Sequence, residues 1–235
     1  MVVSHHTLYC VQWNACGLTQ SRLEEFKNFL SLHNPHIVLL SETHWKPTFN
    51  ITFHAYNCTK LVRFEQIGGG VAILSHKSLA IAPLDITPAI VTFEAVGVSI
   101  RSLEYGLIDV ISVYCPTGSC SVQEVSLLFD RPGRPCIIGG DSNGHCHTWE
   151  PNSRPNSCGR STTSALEQLP DITLVTPKDL ATRVCPGSGR SSTLDLIFAS
   201  SPLAVNSDIW VGDSLGSDHL PVHSAFNSTS SRAGS

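Results

Sequence analysis

Eight polar residues stand where apolar runs of this chain stop, and their types fit one chemistry. Asn14 follows the run Leu8 to Trp13, and Glu42 follows Ile37 to Leu40. Tyr114 closes Leu107 to Tyr114, and Asp141 and Asn143 follow Cys136-Ile137-Ile138-Gly139-Gly140. Asp218-His219 precedes the last apolar run, and Asp195 lies inside Leu194 to Ala199. A strand disfavours a lone Asp, and a buried carboxylate needs a partner. Glu42, with Asp218 or Asp141, offers the oxygen ligands that a hard divalent ion such as Mg²⁺ prefers. A His oriented by a buried Asp is a standard general base. Asn and Tyr side chains donate hydrogen bonds to an anionic group. The set suits metal-assisted hydrolysis of a phosphoester. Taken singly, each residue has a plainer reading as a turn residue, a solvated acid or packing. It is the conjunction that points to chemistry. A serine-hydrolase scheme lacks Gly-x-Ser-x-Gly, and no cysteine has the setting of a nucleophile.

Those residues need strands behind them. Strands are expected over Leu8–Trp13, Ile37–Leu40, Val71–Leu74, Ile90–Ile100, Leu107–Tyr114, Cys136–Gly140 and Leu194–Ala199, around Trp210-Val211, and up to Phe226, because short β-branched runs are bounded by Gly, Pro or Asn. Ser21 with Glu24 reads as a capping box for a helix carrying Leu23, Phe26 and Leu30, stopped before Pro35. Ser121 with Glu124 reads as a second, and Ser161 as the cap of a short helix through Leu169. Residues 46–66 are expected to be mixed and loop-rich, and 150–160 read as loop. Many strands with few helices imply one α/β domain, residues 1–226, with helices outside packed sheets. A flexible polar tail, 227–235, follows.

The 235 residues carry a formal charge of −4, and only 14% are charged. A nucleic-acid partner would therefore need a local basic patch or a metal ion. Residues 151–190 supply Arg154, Arg160, Lys178, Arg183 and Arg190. The nine cysteines contain no Cys-x-x-Cys, and several fall in apolar runs, so buried thiols in a reducing compartment are expected. His145-Cys146-His147 is the weaker, zinc reading. No basic flank with an apolar core opens the chain, so the protein is expected not to be secreted. The Asn-x-Thr triplets at 50, 57 and 227 then read as chance. No apolar stretch reaches membrane-spanning length, so no membrane partner is expected.

The motifs Gln12-Trp13-Asn14, Ser41-Glu42-Thr43, Gly68-Gly69-Gly70-Val71-Ala72-Ile73, Tyr114-Cys115-Pro116, Gly140-Asp141-Ser142-Asn143, Thr193-Leu194-Asp195 and Ser217-Asp218-His219-Leu220-Pro221 resemble the exonuclease–endonuclease–phosphatase superfamily. More closely, they resemble the apurinic/apyrimidinic-type endonuclease domain of non-LTR (LINE-type) retrotransposons. The resemblance covers about residues 8–226 in family order, and the triple glycine favours the retrotransposon branch. It implies a DNase I-like four-layer α/β/β/α sandwich of two packed mixed sheets. In that reading Glu42 binds Mg²⁺ (or Mn²⁺) and Asp218 supports the metal or His219. Asp195 orients His219, and Asp141 polarises water or assists the leaving oxygen. Asn14, Tyr114 and Asn143 position the phosphate, with Thr182 and Ser217 as looser phosphate contacts. Whether Asp141 or His219 takes the proton stays open. The basic segment with Arg154, Arg160, Arg183 and Arg190 would face double-stranded DNA.

The implied activity is nicking one strand to leave a 3′-hydroxyl primer for target-primed reverse transcription. The chain would be part of a reverse-transcriptase polyprotein made in the cytoplasm and acting in the nucleus. Two departures stand out. Cys16 replaces the repair enzymes' second metal-binding acid, which points to a one-metal site, and Ser142 replaces an aromatic. A superfamily phosphatase acting on lipid or inositol phosphates, or a degenerate DNA-binding module, are the alternatives.

Overall fold

The computed structural model describes residues 7–63, 68–102 and 104–228. From residue 229 on, the expected tail lies outside the described residues. The first half of the chain runs β1 (Thr7–Asn14), α1 (Gln20–His33), β2 (Ile37–Ser41), β3 (Tyr56–Leu61), β4 (Val71–His76), β5 (Ile81–Leu84), β6 (Glu94–Ser102) and β7 (Gly106–Tyr114). It continues with α2 (Val122–Phe129), β8 (Cys136–Asp141), α3 (Ser157–Gln168), β9 (Ile172–Leu174), β10 (Arg183–Val184), β11 (Ser191–Ser192), β12 (Asp195–Ser200), α4 (Ser201–Ala204), β13 (Ser207–Val211) and β14 (Val222–Asn227).

Two six-stranded sheets result, ordered β13-β14-β1-β2-β4-β3 and β5-β6-β7-β8-β12-β9. At the heart of each lies a parallel pair, β1 with β2 and β7 with β8. Parallel neighbours need a crossover, and α1 and α2 provide it. Antiparallel partners flank each pair: β14 and β4 in one sheet, β6 and β12 in the other. The two sheets thus repeat one order and one set of directions. β2, β8 and β12 are buried along their whole length, which is why they read as unbroken apolar runs.

The inner faces interleave Cys10, Ile37, Leu39, Ile73, Val110, Ile137 and Ile197 in one core. The outer face of the first sheet packs against Leu23, Phe26 and Leu30 of α1, and that of the second against Val125 and Leu128 of α2 and Ala165 of α3. This is the α/β/β/α sandwich that the resemblance implies. Two reciprocal bonds stitch the sheets together: Ser41 Oγ donates to the Val113 carbonyl (3.0 Å) and Ser112 Oγ to the Leu40 carbonyl (3.1 Å). Both hydroxyls are buried and satisfied, as such groups must be.

Three local expectations are corrected. α1 begins after Thr19, whose side chain makes no cap bond, so Ser21 lies inside the helix. Glu24 instead pairs with Lys27 at 2.8 Å, an exposed i,i+3 contact. α3 starts at Ser157 rather than after Ser161, because the Asn156 side chain accepts from Gly159 N at 2.9 Å. The loop expected over 150–160 therefore ends at Asn156, whereas 46–66 are mixed as expected, with β3 among them. The second capping box is present: Ser121 Oγ accepts from Glu124 N (3.2 Å), and Ser121 N donates to the Glu124 carboxylate (3.1 Å). Among the described residues no helix is long and apolar enough to cross a membrane.

Candidate active site

The two parallel pairs end at one edge of the sandwich. Asn14 pairs with Ser41 across β1 and β2, and Tyr114 with Asp141 across β7 and β8. Asn14, fully buried, bridges the sheets. Its Nδ2 donates to Glu42 Oε1 at 2.9 Å and to Asp141 Oδ2 at 2.8 Å. Two carboxylates, one from each sheet, therefore share one amide nitrogen.

Three polar side chains turn the chain at this edge by capping the amide two residues on. Asn14 Oδ1 accepts from Cys16 N (2.9 Å), Asp141 Oδ1 from Asn143 N (2.8 Å) and Ser217 Oγ from His219 N (3.1 Å). Ser217 Oγ also donates to the Asn14 carbonyl at 2.9 Å, tying the 217–219 turn to β1. Cys16, Glu42, His44 and Asn143 all have φ between 44° and 53°. Left-handed non-glycine residues are uncommon, and such strain collects where a side chain must be aimed.

β12 brings Asp195 opposite Asp141. Asp195 Oδ2 lies 2.7 Å from His219 Nδ1, and its Oδ1 accepts from Gln12 Nε2 at 2.9 Å. With Nδ1 engaged, His219 presents Nε2 to Asp141 Oδ2 across 4.0 Å. That gap is too long for a hydrogen bond. Asn143 Nδ2 donates to the Cys115 carbonyl at 3.1 Å, which fixes its side chain beside Tyr114.

Burial, reinforced by the Asp195 charge, pushes the Asp141 carboxyl well above the usual carboxylate range, against the pull of His219. For His219, burial opposes the charged form, but the charge and hydrogen bond of Asp195 outweigh it, with help from Asp141 and Asp218, and lift the pKa to about 9. Burial, the Glu42 charge and a hydrogen bond to Glu42 push the Tyr114 phenol up, so it is a donor at neutral pH. Burial and then the charges of Glu42 and Asp218 raise the Cys16 thiol.

The remaining expected residues fall in different places. Asp218 is held by Arg183, whose Nε donates to Oδ2 at 2.8 Å. Arg183 is thus an ion-pair partner rather than a free phosphate contact. Thr182 is fully buried, and its Oγ1 accepts from Leu194 N (3.0 Å) and Asp195 N (3.1 Å). It braces β12 and offers no open surface to a phosphate. Arg154, Arg160 and Arg190 are exposed, and Arg160 donates to the Pro155 carbonyl. The β10–β11 hairpin joins the site through the Arg183–His219 bridge. The His145-Cys146-His147 run is occupied by neighbours: His145 meets Glu150, His147 the Pro151 carbonyl, and Cys146 Thr148 and Thr163.

Sequence reasoning missed Gln12, His44 and the Arg63–Glu94 pair. His44 Nε2 lies 3.3 Å from Glu42 Oε2. Glu94 also accepts from Gly70 N, while the Gly69 and Gly70 carbonyls accept from His44 N (2.8 Å) and Thr43 N (3.1 Å). The triple glycine is thus the floor under Thr43-His44. A Cβ on Gly70 would stand 2.7 Å from Thr43 Oγ1, and its φ is +87°, a setting only glycine adopts without strain. His44 follows a motif residue directly, which is the one signal the sequence held for it.

The donors present fit a hard divalent ion: Glu42 is partly open to solvent, with the Asn14 amide on Oε1 and His44 Nε2 beside Oε2. Among the described residues no three His, Cys, Asp or Glu converge as a metal cage. Mg²⁺ is usually held by one or two carboxylates plus waters and phosphate oxygens, which this geometry allows.

Residues 108–223 match the family described as Endonuclease-reverse transcriptase. That match spans just under half of the 235 residues. Over 230 residues the chain is 27% identical to an RNA-directed DNA polymerase from the mobile element jockey of Drosophila melanogaster, covering 95% of this chain and 24% of that protein. Over 220 residues it is 29% identical to a probable RNA-directed DNA polymerase from the transposon X-element of the same fly, covering 89% and 23%. The chain therefore spans about a quarter of the length of these relatives. Its fold matches the endonuclease domain of TRAS1, a telomere-specific non-LTR retrotransposon, with a TM-score of 0.73 at 18% identity, covering 94% of this chain and 98% of that one. It also matches an AP endonuclease from Archaeoglobus fulgidus (TM-score 0.69, 18% identity, 93% and 99% covered).

Proposed function

We propose that this chain hydrolyses one phosphodiester of double-stranded DNA, with a divalent ion, to leave a 3′-hydroxyl that primes reverse transcription. The observation that carries the reading is the facing of His219 and Asp141 across 4.0 Å, with Asn14 tying Asp141 to Glu42. Glu42, with Asp218 in support, would hold a divalent ion, which would supply Lewis-acid neutralisation of phosphate charge. Tyr114 and Asn143 donate hydrogen bonds to the phosphoryl oxygens, while Asn14 aligns the Glu42 and Asp141 carboxylates. Asp195 keeps His219 charged and aimed at the same group. Asp141, buried and of raised pKa, accepts the proton of the attacking water. Water oxygen bonds to phosphorus, the P–O3′ bond breaks, and the leaving oxygen takes a proton from the His219 imidazolium to become the 3′-hydroxyl. Exposed Arg154, Arg160 and Arg190 contribute sequence-independent phosphate contacts.

The partner in this reading is the reverse-transcriptase part of a longer polyprotein, and the place of action is the nucleus. Incubating the protein with supercoiled plasmid, Mg²⁺ or Mn²⁺, and then EDTA tests the core of it. Nicked circles that a polymerase extends without end repair support the proposal. Metal-dependent phosphate release from inositol phosphates with intact plasmid would move the chain to the phosphatase alternative. Salt-sensitive DNA binding without cleavage under either ion would make it a binding module.

A further inference from the structure

Gln12 is fully buried one turn of the pleat before Asn14, yet no step of the proposed hydrolysis uses it. Its side chain points into the space between the sheets, where its neighbours are apolar: a Cβ on Gly139 would meet Leu39 and the Gln12 stem. Its side-chain hydrogen bond crosses to the other sheet, from Nε2 to Asp195 Oδ1 at 2.9 Å. Its Oε1 is buried with no partner. A buried amide with an unmet acceptor is costly, and an apolar side chain of the same length would fill this space without that cost.

We infer that Gln12 is a positioning residue for the hydrolysis proposed above, holding the Asp195 carboxylate in the rotamer that orients His219. Asp195 has two oxygens and two side-chain donors. Oδ2 faces His219 Nδ1 at 2.7 Å, and Oδ1 receives the Gln12 amide. With both oxygens fixed, the carboxylate plane cannot rotate, so the imidazole keeps Nδ1 inward and Nε2 toward Asp141. A neutral donor does this without competing for the negative charge that the imidazolium needs; a Lys or Arg at position 12 would take that charge for itself. Thr182 braces the backbone of Asp195 from the other side, but it reaches only amide nitrogens and leaves the carboxylate to Gln12.

The test is Gln12→Met, which matches the length and removes the donor, with Gln12→Asn as the polar variant too short to reach. In single-turnover plasmid nicking both should lower kcat about 10- to 100-fold, the usual cost of losing an outer partner of a catalytic group, with KM unchanged within about twofold. Placed on Asp195→Asn, Gln12→Met should cost nothing further, since its effect passes through that carboxylate. Independently of activity, the far-downfield N–H resonance of His219, assigned by its loss in His219→Asn, should shift or broaden in both variants. An unmoved resonance in a folded variant, or an equal loss in the Asp195→Asn background, overturns the inference and leaves Gln12 a stitch between sheets. If the wild type does not nick DNA, the hydrolysis reading fails, and the resonance still decides the positioning role. If Gln12→Met does not fold, Gln12→Asn carries both measurements.

Discussion

His219 Nε2 and Asp141 Oδ2 face each other at 4.0 Å, each nearly buried and each fixed from behind by its own partner. The separation accommodates a phosphoryl oxygen or a water between an acid and a base. His219→Ala and Asp195→Asn should each reduce single-turnover nicking about 10²- to 10⁴-fold, the range for a lost acid–base group or its orienting carboxylate. Far-UV dichroism of the variants should overlay the wild type. Full activity in either would remove the dyad from the chemistry.

Asn14 is the pivot between Glu42 and Asp141. Asn14→Ala should lower nicking about 10- to 100-fold, as for the loss of an outer partner that orients a working carboxylate. It should also destabilise the fold by about 1–3 kcal/mol, because Asp141 stays buried with a donor missing. Asn14→Asp should be worse, since a third carboxylate would meet the other two. Urea melts beside the nicking assay separate the two effects.

Glu124 ties α2 to the 91–92 segment. Its carboxylate accepts from Val91 N (2.9 Å), Thr92 N (2.8 Å) and Ser121 N (3.1 Å). Burial works against the charge, but these donors outweigh it and hold the pKa at about 2, below the ordinary 4.5. The folded state thus binds its proton later than the unfolded state. The stabilisation is complete above pH 4.5 and is lost as the pH falls toward 2. Glu124→Gln should cost roughly 1–3 kcal/mol at pH 7, and the wild-type and variant stabilities should converge toward pH 2. A constant difference across that window would show that the carboxylate charge is not the source.

Gly70→Ala should lower both stability and activity. The left-handed backbone and the 2.7 Å approach to Thr43 Oγ1 leave no room for a methyl group, and such a position costs of order 1–3 kcal/mol. Because the Gly70 carbonyl accepts from Thr43 N, the shift should reach Glu42 next to it. A variant equal to wild type in both melts and nicking would mean that the 43–44 turn does not depend on this floor.

The strand ends were legible because each motif residue interrupts an apolar run, and both sheets hold those runs in a buried centre. Asp195 was the clearest sign, since a carboxylate inside a buried strand demands a partner, and that partner is His219. Gln12 was quoted only as part of a motif, because an amide that works through another side chain leaves no periodic trace. His44 and the Arg63–Glu94 pair were hidden for a different reason. They meet Glu42 and Gly70 through loop geometry that spacing does not encode. Ser21 misled because an interior serine and a cap look alike in sequence. Whether an N-terminal donor is free depends on where the first turn forms. Thr182 and Arg183 were placed near the phosphate, but their groups are engaged with the Asp195 backbone and Asp218. A sequence shows which group is present, not what already satisfies it.

β14 returns antiparallel to β1, so Thr7 and Asn227 lie side by side, joined by a 2.7 Å bond from Thr7 Oγ1 to Asn227 Oδ1. Both point away from the edge that holds Asn14 and His219, roughly the eight-residue length of β1 distant, about 25 Å. The first and last strands of the sandwich are thereby clasped together on the side opposite the catalytic edge, so a pull on that clasp is borne by the β1–β14 ladder before it reaches Asn14.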